Sequence, residues 1–131
     1  MMSDVQVLVW SAVLTWLMLG TSSGLRNRLW EPGGIARGFG NRDDLGEPSP
    51  LAGRADRAAK NMLENLAMVT ALIAAVHFAG KADAQASLGA NIFFWSRAAY
   101  WPCYLAGITH LRTVIWLVSV VGMGMIAAAL W

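Results

Sequence analysis

Residues 5–25 read VQVLVWSAVLTWLMLGTSSGL, an unbroken run without a charge, and residues 113–131 read TVIWLVSVVGMGMIAAALW, equally charge-free. A helix that crosses a bilayer needs about 20 mostly apolar residues, so each run is long enough to do so. Working inward from them, two more apolar stretches appear. Residues 61–80 are interrupted only by Glu64, and residues 84–107 are interrupted only by Arg97. The runs are too long for membrane strands and lack their period-two alternation. The expected fold is all-α, an integral membrane antiparallel four-helix bundle in a single domain. Its spans fall at about residues 5–25, 58–80, 84–107 and 111–131, with a loop over residues 26–57.

The remaining composition agrees. The chain has 131 residues, 56% of them hydrophobic and 14% charged. Thirteen of the eighteen charged residues lie between Arg26 and Glu64. A soluble domain of this size needs charge over its whole exposed face, and most of this chain has none. Soluble enzymes, secreted disulfide scaffolds and nucleic-acid binders are thereby excluded. A net charge of +2 is too small to suggest a polyanion partner. Cys103 is the single cysteine, so there is no internal disulfide and no zinc spacing; it reads as a small packing residue. His77 and His110 fall towards opposite membrane sides, and no metal site is expected. MMSD supplies no basic n-region, so the first run is expected to be an uncleaved span rather than a signal peptide.

Lysine and arginine set the orientation. The first loop and the start of the second span hold Arg26, Arg28, Arg37, Arg42, Arg54, Arg57 and Lys60, whereas the connection near residue 81 holds only Lys81. The first loop is therefore expected to be cytoplasmic and both termini to face outward. Trp30 and Trp131 fit interfacial anchors. The loop is rich in proline and glycine and cannot lie in lipid, where its backbone groups would go unpaired. It is either a solvated connection or a cap over a cytoplasmic cavity. It holds no Walker lysine motif.

Polar side chains within the spans point to a site. Arg57, Lys60, Asn61 and Glu64 share one helix face at the start of the second span. Arg97, Tyr100 and Tyr104 do the same on the third, at spacings of three and four. An ionised group at depth costs several kcal/mol unless it meets a partner or water. From the rise of about 1.5 Å per residue, Glu64 lies roughly 10 Å and Arg97 roughly 15 Å below the cytoplasmic edge, so Arg97 is expected to approach Glu64. Two readings are open. Glu64 and Arg97 form an internal pair that fixes helix register, in a non-catalytic scaffold or a module for an anionic metabolite or lipid. Alternatively they line a site for a small anionic or zwitterionic ligand, which the excess of cations (Arg26, Arg28, Arg57, Lys60, Arg97 and Arg112) favours. Arg112, followed by Thr113, opens the fourth span. There it serves either as a positive-inside anchor or as a cation that stabilises a thiolate, with the Thr113 hydroxyl donating a further hydrogen bond.

RADRAAKNMLENL (residues 54–66), FFWSRAAYWPCYLAG (residues 93–107) and HLRT (residues 110–113) together resemble the MAPEG family, the membrane-associated proteins in eicosanoid and glutathione metabolism. Its hallmarks are Arg-x-x-x-Asn-x-x-Glu opening the second helix, Arg-x-x-Tyr-x-x-x-Tyr on the third, and an arginine opening the fourth. GFGNRDD with PSPLAG looks most like the bacterial branch. The resemblance implies a homotrimer in a bacterial inner membrane, with glutathione held between subunits near the cytoplasmic side. It also implies a transferase or peroxidase acting on lipophilic substrates that arrive from the bilayer. Carried over by motif, Arg57, Lys60, Asn61, Glu64, Arg97, Tyr100 and Tyr104 would bind glutathione. Arg26 or Arg28 would reach in from a neighbour, and Arg112 with Thr113 would activate the thiol.

Overall fold

A computed structural model describes all 131 residues. It contains five helices and no strands: α1 (Asp4–Asn27), α2 (Gly34–Phe39), α3 (Pro50–Phe78), α4 (Ala84–Ala106) and α5 (Thr109–Ala128). Local chemistry sets their ends. Ser3 and Gln6 close a capping box at the start of α1, which satisfies donors the helix leaves free. Ser49 caps α3 and is followed by Pro50, whose fixed φ suits the first helical turn. The Asp83 carboxylate accepts the Ala86 amide at the start of α4. Gly107 ends α4 at φ 78°, a left-handed conformation that costs a residue without Cβ little.

Two features differ from the sequence expectation. The loop over residues 26–57 contains the short helix α2, and α3 starts at Pro50 rather than near residue 58. The added turns hold Arg54, Asp56 and Arg57, so hydropathy reads them as loop. A cap and good helix formers extend the helix beyond its apolar part.

The four long helices run antiparallel, as contacts between their ends show. His77 near the end of α3 meets Asp4 at the start of α1, at 2.8 Å. Asn91 of α4 exchanges hydrogen bonds with the backbone of Met2, at 2.9 and 2.8 Å. Lys81 donates to the Leu130 carbonyl, so both termini gather at one end. At the other end Arg54 Nε donates to the Leu105 carbonyl at 2.9 Å and ties the start of α3 to the end of α4. Packing is closest between α4 and α5 and next between α1 and α3, while α3 also touches both α4 and α5. Gly89 and Gly122 permit the α4–α5 approach. A Cβ on Gly89 would stand 2.5 Å from the Gly122 carbonyl oxygen, and one on Gly122 would stand 2.6 Å from that of Gly89.

Burial departs from the soluble pattern, because large apolar residues cover the outside as well as the core. Helix α1 buries Ser11, Thr15 and Ser22 while exposing Val9, Trp10, Val13 and Trp16. Trp95 on α4 and Val118 and Val121 on α5 are exposed as well. Such an exterior suits hydrocarbon, in which small and polar residues pack between helices. Helices α1, α3 and α5 are each long and apolar enough to cross a membrane. Helix α4 has the length, at 23 residues, but carries Asn91, Ser96 and Arg97, which lower its apolar content.

Candidate functional site

The end of α4, the start of α5 and α3 form an open pocket of about 230 Å³ lined by Asn61, Tyr100, Tyr104, Arg112, Thr113 and Trp116. Helical spacing brings these residues together. Tyr100 and Tyr104 are one turn apart on α4, and Arg112, Thr113 and Trp116 occupy the first turns of α5. Pro102 lies between the tyrosines inside α4; lacking an N–H, it leaves the helix one hydrogen bond short at this level.

Two cation–aromatic stacks shape the pocket. The Arg112 guanidinium carbon lies 4.5 Å from the centre of the Tyr104 ring, and that of Arg97 lies 4.3 Å from the centre of Tyr100. The tyrosine rings are 5.3 Å apart and tilted by 59°. A cation over an aromatic face is worth about 0.5–1 kcal/mol when exposed and more when desolvated. The stacks hold both arginines in place, and of the two only Arg112 lines the pocket.

Arg97 sits behind the pocket and is 0% exposed. Its Nη2 donates to Asn61 Oδ1 at 2.6 Å, whereas Nε and Nη1 have no partner. Arg97 and Glu64 do not form an ion pair within 4 Å. Glu64 is exposed and belongs to none of the ion pairs, which join Arg28 and Arg37 to Glu31, Lys60 to Asp56 and His77 to Asp4. Asn61, three residues earlier, is the part of the α3 polar face that turns towards α4.

The other sequence-derived positions divide. Arg57, Lys60 and Glu64 are all exposed on α3, and Lys60 pairs with Asp56 at 2.8 Å. Arg26 donates to the carbonyls of Leu45 and Gly46, at 3.3 and 2.7 Å, and so ties down the first loop. Arg28 ends α1 at φ 51° and lies 3.8 Å from Glu31. Neither Arg26 nor Arg28 lines this pocket. The Thr113 hydroxyl donates to the Thr109 carbonyl at 3.1 Å, so the hydrogen expected to meet a thiolate is already engaged. Trp116 was not anticipated. Its only sequence signal is its position one turn beyond Arg112, a spacing that a search for charged residues passes over. Arg54 carries no sequence signal for its tie to Leu105, because hydropathy groups it with the loop charges.

An all-helical chain with an apolar exterior and three helices able to cross a bilayer defines an integral membrane protein. The MAPEG family model matches residues 5–131, and the chain belongs to that family of membrane-associated proteins in glutathione and eicosanoid metabolism. No curated protein and no solved structure gives a match.

Proposed function

We propose that the protein is a glutathione-dependent transferase or peroxidase that acts on lipophilic electrophiles or hydroperoxides reaching it from the bilayer. One observation carries this reading: Asn61, Tyr100, Tyr104, Arg112 and Thr113 surround a single pocket. They come from three helices and from three separate sequence motifs. Family membership supplies the thiol, since its members generally use glutathione.

The donor set fits the anionic parts of that tripeptide. Arg112 offers its guanidinium group, with Arg97 adding a buried positive charge behind it, and the tyrosines offer hydroxyls. The pocket carries no carboxylate for the ammonium group, and its volume is below the roughly 300–1,000 Å³ of ordinary small-molecule sites. One chain thus supplies part of a site. The remainder comes from the next subunit of a homotrimer in which all four long helices span the membrane. Exposed Glu64 and Lys60 support this, because a charge at that depth is costly against lipid and is relieved when a second copy covers it. Arg26 and Arg28, at the end of α1, would reach that neighbour only by leaving the Leu45 and Gly46 carbonyls and Glu31. By the positive-inside rule the arginine-rich end faces the cytoplasm of a bacterial inner membrane and both termini face the periplasm.

Within the site, Arg112 holds the thiol as its thiolate. A nearby cation and the N-terminal amides of α5 both favour the charged form. The sulfur then attacks the electrophilic carbon, and the leaving group departs with its electron pair. Arg112 keeps its proton throughout and acts by charge alone. The test compares wild type with Arg112→Ala, using glutathione and a chlorinated nitroaromatic in detergent. Loss of one preorganised electrostatic donor typically costs about 10²–10³ in turnover, and a fall of that size is expected at unchanged oligomeric state. Equal rates, or an inactive wild type, would overturn the proposal.

A further inference from the structure

The connection between α1 and α3 carries three large apolar side chains that the bundle does not cover. Phe39 is 91% exposed, Trp30 67% and Ile35 63%. They are not on a loosely held loop. A Cβ on Gly34 would collide with the Arg28 carbonyl and with Leu29, and Gly38 lies against Leu29 and Asn27. Arg37 reaches back from the same helix to the Asn27 carbonyl at 3.2 Å and to Glu31 at 3.3 Å. The Gly34, Arg37 and Gly38 side of α2 is therefore fixed to the end of α1. Ile35 and Phe39, one turn apart, form a separate stripe.

We infer that this stripe, with Trp30, is a membrane-interface foot. Trp30, Ile35 and Phe39 rest in the boundary between headgroups and acyl chains of the leaflet at which α1 ends. Geometry places it there. The 24 residues of α1 extend about 36 Å, more than the roughly 30 Å hydrocarbon core, so Asn27 lies at headgroup level. Helix α2 is pinned directly to that end. The foot thus sits at the end of α1, and a tryptophan at this depth is the usual interfacial residue.

The driving force is apolar rather than ionic. Arg28 and Arg37 both pair with Glu31, and Arg42 is followed by Asp43 and Asp44, so the segment offers little net charge to an anionic lipid. A second copy of the chain docked through this patch alone is the poorer occupant. A six-residue helix presents a few side chains, whereas a stable protein interface draws on about 20–30 residues a side. The foot would set the height of the first loop over the bilayer, independently of the proposed chemistry.

The test uses the full chain carrying Cys103→Ala, with a nitroxide attached at Phe39→Cys, Ile35→Cys or Asp44→Cys in phosphatidylcholine vesicles. Collision with oxygen, which concentrates in lipid, is compared with collision with a water-soluble nickel chelate. Labels at 39 and 35 are expected to favour oxygen over nickel several-fold, and the label at 44 to show the reverse. Two results would overturn the foot. One is nickel access at 35 and 39 equal to that at 44. The other is an immobilised label at both positions shielded from both reagents, which would place a second protein surface there. Reading Ile35→Cys separately guards against loss of the Phe39 ring itself releasing the segment.

Discussion

Arg97 is the residue on which the interior of the site depends. It is fully buried, and Asn61 accepts its only hydrogen bond. A hydrogen bond to a charged group is worth about 1.5–3 kcal/mol, so Asn61→Ala should lower stability by that amount, read as a fall in unfolding temperature in detergent. Arg97→Met removes the charge together with its need for a partner, and should therefore cost less than Asn61→Ala. If the order is reversed, packing around the guanidinium outweighs its hydrogen bonding. The Arg97–Asn61 pair also shows where sequence reasoning stopped. Periodicity assigns Asn61 and Glu64 to one polar face, but residues three apart differ by about 60° around a helix. Rotation of α3 by that angle decides which of them meets α4, and spacing within a single helix does not reveal the rotation. The charge on Glu64 made it the more obvious partner, yet the neutral amide holds the position.

At the scale of elements, the contact between α4 and α5 brings Tyr100 and Tyr104 to Arg112. Gly122→Ala would set a methyl group 2.6 Å from the Gly89 carbonyl oxygen, a backbone atom that cannot rotate aside. Overpacking of this kind costs about 1–3 kcal/mol, against a helix-propensity gain of about 1 kcal/mol. The expected outcome is net destabilisation and a weakened site. On the same helix, Gly124→Ala meets nothing within 4 Å and should leave stability equal or raise it by up to about 1 kcal/mol. Unfolding of the two variants side by side in one detergent checks both statements. Of the elements, α1 and α5 were legible from their charge-free runs, and the α4 register from its Arg-x-x-Tyr-x-x-x-Tyr spacing. Helix α2 was not. Six residues containing two glycines carry no periodic signal, and the helix owes its place to contacts with Arg28, Leu29 and Asn27 that only folding creates.

For the whole molecule, the antiparallel order brings the arginine-bearing end of α1 to the same side as the pocket, although neither Arg26 nor Arg28 reaches it within one chain. In the proposed trimer, the exposed Arg57, Lys60 and Glu64 on α3 would face a neighbouring copy. Chemical cross-linking in native membranes should therefore stop at three chains, and a monomer would contradict the divided site. The claim on which the chemistry rests is that the pocket of Asn61, Tyr100, Tyr104 and Arg112 holds glutathione, and thermal unfolding in detergent with and without the tripeptide tests it most directly. A ligand at about a hundred times its dissociation constant adds roughly 2.7 kcal/mol to the folded state. The expected result is a glutathione-dependent rise in unfolding temperature for the wild type that is lost in Arg112→Ala; no rise in the wild type, or the same rise in the variant, would contradict it.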